Sequence, residues 1–313
     1  MSGSVQVCVV ASFMYDMVAT APRMPEIGET LMGTGFATYV GGKGFNQAIA
    51  AARAGATTGV IGRVGLDPFA AEFREFLQTE GIDDGNLAAD GEHGTGVGLP
   101  VVDAHGRNAI IIVPRANHAL SAQDIEAARE KIAAAAVLVL QLEVPIAPVV
   151  HAARIARAAG TTVILNPAPY APLPPELVEL VDVLVPNEVE LRQMVPGEGA
   201  LDRAAEMLQL SSGCAVVVTC GAAGLLVVGK EGRLLRVPAH EVQVADTIGA
   251  GDAFCGNLGA RLALGDALLT AVRYANAAAA LAVTRPGGAP AAPTATETER
   301  FVASRDRSFK ADP

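Results

Sequence analysis

Six short apolar runs recur along the chain without polar alternation: VQVCVV (5–10), TTGVIG (57–62), VLVLQL (137–142), TTVILN (161–166), DVLVPN (182–187) and AVVVT (215–219). A strand with one wet face alternates polar and apolar residues, so runs like these suit parallel strands covered on both faces. Alanine-rich helical patterns lie between them. One follows GGKG (41–44) and continues through NQAIAAARAG. Others are expected over 67–80, from a Ser121–Asp124 capping box to about Ala136, and over 146–159, 202–212, 252–264 and 266–284. This alternation predicts a doubly wound α/β sheet. A chain of 313 residues that is 51% hydrophobic can fill such a core and carry an insertion.

Two segments break the rhythm. Residues 14–40 hold Pro22, Pro25 and several glycines, and residues 95–114 (TGVGLPVVDAHGRNAIIIVP) read as a hairpin turning at Asp103–Arg107. We expect both to join in one small β-sheet beside the main body, a lid, within a single domain over 1–313. A Pro/Gly/Ala-rich stretch, Pro286–Pro293, precedes a last short helix near 296–304.

The formal net charge is −10 and no run of Lys or Arg would track phosphates, which argues against a nucleic-acid partner. Cys8, Cys214, Cys220 and Cys255 form no CxxC and the five histidines are scattered, so reduced thiols and no zinc cluster are expected. The opening MSGSVQVCVVASF lacks a basic leader and reads as a first strand. No apolar run approaches the ~20 residues of a membrane helix. The expectation is a soluble cytoplasmic protein with no membrane partner.

In open α/β sheets ligands sit beyond the carboxyl ends of the strands. There the chain offers Ser12 and Asp16, Glu143, Asn166, Asn187 with Glu190, and Thr219 followed by Gly221 and Gly224. Singly these are turn residues; together, on one edge, they converge on one crevice. GGKG is not a Walker A loop, because the GxxxxGK[ST] spacing is absent, and no GxGxxG follows the first strand. Its plain reading is a tight turn; its functional reading brings backbone, Lys43 and Asn46 close to a polyhydroxylated ligand. DTIGAGDAFCGN (246–257) likewise reads either as a loop with Asp252 as helix N-cap, or as an anion site at a helix start with Asp252 beside it.

These stretches resemble the PfkB carbohydrate kinases. GGKGFNQA (41–48) and DTIGAGD (246–252) are similar to that family's two signatures, and NPAP (166–169), PNEVE (186–190) and AVTRPGGAP (282–290) are similar to its ribokinase branch. The resemblance covers nearly the whole chain in order. It implies a ribokinase-like, Rossmann-like α/β/α sandwich whose β-sheet lid commonly forms a homodimer interface. It also implies ATP-dependent phosphorylation of the primary hydroxyl of a pentose, D-ribose first. Asp252 would be the general base, with Gly249, Ala250 and Gly251 as anion hole. Asp16, Gly42, Lys43, Asn46 and Glu143 would hold the sugar. Asn187, Thr219, Gly221, Gly224, Gly251 and Asn276 match nucleotide-site positions, with Asn187 and Glu190 near Mg2+ and phosphate. Asp246, Ile248, Ala282, Arg285 and Gly287 match a loop that takes a monovalent cation, K+.

Three departures stand out. Met14, followed by Tyr15, stands where the ribokinase branch usually has Asn, so one polar sugar ligand is missing unless Tyr15 or a lid residue replaces it. Ala291 replaces a cation-site serine, which weakens the expected K+ effect, and Asn257 replaces a small residue past the second signature. A kinase for a nucleoside or another sugar is the alternative within the same chemistry. A non-catalytic sugar-binding regulator would be expected to have lost Asp252 or the GAG turn, and both are present. An oxidoreductase of the Rossmann type would need the glycine fingerprint that is absent.

Overall fold

The computed structural model describes residues 5–308. The first part of the chain forms β1 (Val7–Val10), β2 (Met14–Ala21), β3 (Gly35–Gly41), α1 (Lys43–Arg53), β4 (Thr58–Gly65), α2 (Pro68–Thr79), β5 (Asp83–Asp90), β6 (Gly96–Asp103) and β7 (Asn108–Val113). The middle part forms α3 (Ala122–Ala127), α4 (Arg129–Ala134), β8 (Val137–Leu140), α5 (Ile146–Ala159), β9 (Thr162–Leu165), α6 (Pro175–Val178), β10 (Val183–Leu184), α7 (Glu188–Met194) and α8 (Leu201–Ser212). The last part forms β11 (Ala215–Thr219), β12 (Leu225–Val228), β13 (Leu234–Val237), α9 (Ala250–Ala263), α10 (Leu268–Ala282) and α11 (Ala295–Ser308).

Nine strands make the main sheet, in the order β13-β12-β11-β10-β9-β8-β1-β4-β5. The seven from β11 to β5 run parallel, and β12 and β13 add an antiparallel edge. Alternate strand residues enter two cores. Val7 and Val9 pack under α1, α9 and α10 on one face, while Cys8 and Val10 pack under α3, α4, α5 and α8 on the other. This double burial is why the strands read as continuous apolar runs. From β1 the chain winds outward through β4 and β5, then returns to β8 on the other side of β1. The switch point therefore lies between β1 and β8, where crevices open at the carboxyl ends.

Residues 14–40 and 95–114 supply the second sheet, ordered β3-β2-β6-β7, with β2 parallel to β6 and antiparallel to β3. Its β6–β7 turn is closed by the Asp103 carboxylate, which accepts the backbone N–H of His105 and Arg107 at 2.8 and 3.0 Å.

Several expected boundaries move. The helix from Ser121 carries its capping box but breaks in two at Ala128, whose N–H tightens onto Ile125 O, one residue short of the α-helical partner. DVLVPN yields only a two-residue strand, because Pro186 has no N–H to extend the ladder. Strand β5 was hidden by its polar sequence, DDGNLAAD, which suits a sheet edge. The last helix extends to Ser308. Among the described residues no helix is long and apolar enough to cross a membrane, and the four cysteines are free and buried.

Candidate active site

The crevice at the switch point is built first from backbone need. Helix α1 starts at Gly42, which has φ 101° and offers no side-chain cap, so its first N–H groups need outside acceptors. Glu143, just past β8, provides one: its Oε2 accepts Lys43 N–H at 2.8 Å and the Ser12 hydroxyl at 2.7 Å. Ser12 Oγ in turn accepts Gly44 N–H at 3.1 Å. The approach is so close that a Cβ on Gly44 would sit 2.4 Å from Ala11 Cα. GGKG thus seats a helix directly on the end of β1.

Helix α9 crosses α1 equally closely; a Cβ on Gly256 would meet Gln47 O at 2.2 Å. This helix begins at Ala250, two residues earlier than expected, with Gly249 at φ 75° as its cap. Asp252 is therefore not the N-cap but the third helical residue, and its carboxylate reaches across to the other helix. Oδ2 accepts Asn46 Nδ2 at 3.0 Å and Oδ1 accepts Gln47 Nε2 at 3.1 Å. Asp252 is 7% exposed. Burial pushes its pKa up, against the opposing pull of Lys43 and the two amides. Burial alone would lower the Lys43 pKa, but the summed charge of Asp252, Glu143 and Glu190 raises it, so its ammonium stays charged in this crevice. The other amide oxygens, Asn46 Oδ1 and Gln47 Oε1, are buried without a partner. Orphaned acceptors beside a buried carboxylate suit a ligand rich in hydroxyl donors.

Strand β2 closes the crevice from the small sheet. Met14 and Asp16 share one face, and their cross-strand neighbours on β6 are Gly96 and Gly98. A Cβ on Gly98 would meet Asp16 Oδ1 at 2.0 Å, and one on Gly96 would meet Met14 Sδ at 2.6 Å. The glycines clear a trough that these two side chains enter. Burial, then the charge of Glu143, raises the Asp16 pKa to about 6. Tyr15 points to the opposite face, stacked on Phe69 with ring centroids 4.2 Å apart and its hydroxyl on Glu72. It cannot replace the missing polar group at Met14, contrary to the expectation that Tyr15 compensates.

A cavity of about 730 Å³ opens on the other side of the α9 start. Thr219, Gly221, Gly224, Gly251 and Asn276 line it, as does Ala250. Asn187 does not. It caps α7 in a closed box with Glu190, exchanging bonds of 2.8–2.9 Å. Burial raises the Glu190 pKa, and the charges of Lys43 and Asp252 both act on it, which puts the box at the edge of the crevice. The loop Pro238–Val244 completes the cavity with His240, Val242 and Val244. It carries no motif and escaped the sequence reading. Gln47 and Asn117 escaped as well, although a polar pair, NQ, opening an alanine-rich helix is a visible signal.

Asp246 ties two loops together, its Oδ1 accepting Ile248 N–H at 3.0 Å and its Oδ2 accepting Gly287 N–H at 2.9 Å. Val283 O accepts the N–H of Ala245 and Asp246. Ala282 ends α10 nearby and Ala291 is buried. Arg285 turns its guanidinium to Glu297. Asn257 is wholly buried on α9; its amide donates to Ala253 O at 2.9 Å and its Oδ1 has no partner.

The Asp16 geometry makes a prediction about stability. The folded pKa lies near 6, above the unfolded value of 3.8, so the ionised form opposes folding above that window and protonation relieves it. Asp16→Asn is expected to raise Tm at pH 7 by about 2 °C or more, with the gain shrinking as pH falls from 6 toward 4. Thermal melts across pH 4–7 check this; a loss of Tm at pH 7 would contradict it.

The profile of the pfkB family carbohydrate kinases matches residues 5–295. The ribokinase of Haemophilus influenzae is 34% identical over 94% of this chain and 97% of its own length. A deoxyribokinase of Salmonella typhi is 35% identical over 80% of this chain and 83% of its own. The structure of Arabidopsis thaliana ribokinase complexed with ribose and ATP superposes with a TM-score of 0.87 at 27% identity, covering 96% of this chain and 99% of that one. With both signature loops meeting at Asp252 and the profile spanning nearly its full length, this chain belongs to the pfkB family of carbohydrate kinases.

Proposed function

We propose that the protein transfers the γ-phosphoryl group of ATP to the primary hydroxyl of a pentose, D-ribose, giving D-ribose 5-phosphate and ADP. The observation that carries this reading is the position of Asp252. Its carboxylate is buried against Asn46 and Gln47, while Gly251, the residue before it, lines the large cavity.

In this reading the sugar lies in the trough among Asp16, Gly42, Lys43, Asn46 and Glu143, and ATP fills the cavity with its base against the apolar walls from Val242, Val244, Ala279 and Val283. Asp252 takes the hydroxyl proton as the sugar oxygen attacks phosphorus and the bond to the β-phosphate breaks. Each carboxylate oxygen has two acceptor sites, so the amide bonds leave room for that proton. Desolvation makes Asp252 a stronger base than a free aspartate of pKa about 3.9. Gly249, Ala250 and Gly251 present N–H groups at a helix start, where developing phosphoryl charge is stabilised. Mg2+ bound with the nucleotide would shield phosphate charge, held near Asn187 and Glu190 through lone pairs the cap leaves free. The free thiols suit a cytoplasmic enzyme.

Asp252→Asn keeps the shape of the side chain and removes the base. A coupled ADP-release assay with D-ribose should show kcat reduced by about 10²–10⁴-fold, with sugar and ATP still binding. Retention of more than about a tenth of wild-type turnover would contradict the role.

The loops joined by Asp246 support a K+ site built from carbonyls around Ile248, Ala282, Arg285 and Gly287. An ion there would order the anion-binding turn rather than touch substrate. K+ should therefore raise turnover above that in tetramethylammonium, modestly because Ala291 offers no hydroxyl; equal rates would remove the claim.

The small sheet supports a homodimer. Its edge strand exposes Ile111 at 66% on the face that also carries Phe36 and Leu99, and Ile110 and Ile112 at 52 and 51% on the opposite face, and exposed apolar surface of this extent at a sheet edge is costly to leave in water. Sedimentation should give a dimer at micromolar concentration, and Ile111→Lys should give monomers. A wild-type monomer would contradict the assignment.

A further inference from the structure

The loop Pro238–Val244 walls the cavity beside the α9 start, yet little of it is held from within. Its ends are fixed: Pro238 O accepts Asn276 Nδ2 at 2.8 Å, and Ala245 N–H donates to Val283 O at 2.8 Å. The residues between, Ala239 to Val244, belong to no strand or helix, and Glu241, Gln243 and Val244 are exposed. Among the described residues, their backbone takes one hydrogen bond from the rest of the chain. It comes from the last helix, where Arg305 Nη2 donates to Glu241 O at 2.7 Å.

Helix α11 holds this loop from outside. The Phe301 and His240 rings meet edge to face, with centroids 5.2 Å apart and planes at 70°. The Arg305 guanidinium lies over the Phe301 ring, 5.2 Å from its centroid. Burial and the Arg305 charge lower the His240 pKa, so His240 packs as a neutral ring at pH 7. His240 and Glu241 in turn line the cavity. The helix is anchored at its other end. Glu297 accepts Arg285 Nη2 at 2.5 Å, and the Thr294 N–H and hydroxyl at 2.8 and 3.0 Å. Thr298 is fully buried, with its hydroxyl on Thr294 O at 3.1 Å. The first half of α11 is thus fixed on the core, and its second half reaches the loop.

We infer that α11 clamps the nucleotide wall: Phe301 and Arg305 are positioning residues that hold the loop 238–244 in the shape that receives ATP, without touching ATP themselves. This rests on the placement of ATP in that cavity, proposed above, and adds residues that lie outside both signature loops. A wall that must be ordered as its ligand arrives costs affinity, and one already ordered does not. Neither Phe301 nor Arg305 lines the cavity, and neither bonds to a residue of the sugar trough, so the effect falls on the nucleotide alone.

The test measures ATP and ADP affinity by calorimetric titration, and KM for ATP and for D-ribose by ADP release, in wild type, Phe301→Ala, Phe301→Tyr and Arg305→Met. Phe301→Ala removes the ring on which His240 packs. Arg305→Met keeps an apolar stem over that ring and loses the donor to Glu241 O. Each should weaken nucleotide binding by about three- to tenfold, the range of one lost hydrogen bond or ring contact. KM for ATP should rise with it, while KM for D-ribose and kcat stay at wild-type values. Phe301→Tyr keeps the ring and should retain wild-type affinity. Arg305 is exposed, so its variant keeps the question answerable if Phe301→Ala fails to fold. Nucleotide affinity unchanged in Arg305→Met and in folded Phe301→Ala would overturn the inference, as would a parallel rise in both KM values, the mark of general loosening. A wild type that binds ATP but releases no ADP with D-ribose would overturn the pentose reading instead, and the titrations would still decide the clamp.

Discussion

The bond between Asp252 and the first turn of α1 holds the site together. Two helix starts, far apart in sequence, are brought within amide–carboxylate distance. That requires glycine at Gly44, where α1 meets β1, and at Gly256, where α9 meets α1. A buried carboxylate is costly unless hydrogen-bonded, and here Asn46 and Gln47 meet that cost with side chains whose other ends stay unpaired. The arrangement is tight against protein and incomplete toward a ligand.

The same contact divides the crevice. On one side lies a trough of carboxylates and amides under the small sheet, on the other a cavity of about 730 Å³ walled by apolar residues and helix-start backbone. One side suits a polyol, the other a base and phosphates. Asp252 lies where the two meet, and Lys43 keeps its charge through three surrounding carboxylates. Catalysis of phosphoryl transfer is largely positioning and electrostatics, and both are supplied here mainly by two helix starts packed on the main sheet.

Much of this was legible in the sequence. The doubly buried strands announced themselves because every second residue feeds a different core, and Glu143, Asn166, Asn187 and Thr219 stand at strand ends as read. The GAG turn marked a helix start. The sequence could not say that the helix begins before Asp252, since a glycine cap with positive φ leaves no side-chain signature. It could not show that Asn187 and Glu190 satisfy each other, because a capping box and a phosphate-site pair share one spelling. Strand β5 was masked by edge polarity, and the loop 238–244 by having no pattern. Met14 was visible as a departure, but which face it takes depends on strand register, which only the pairing with Gly96 and Gly41 fixes.

The most direct test is a crystal structure with D-ribose, ADP, Mg2+ and aluminium fluoride as phosphoryl mimic. The account predicts the primary hydroxyl oxygen about 3 Å from an Asp252 carboxylate oxygen, in line with an aluminium centre at the N–H groups of Ala250 and Gly251. A primary hydroxyl directed elsewhere, with Asp252 still bonded only to Asn46 and Gln47, would contradict it.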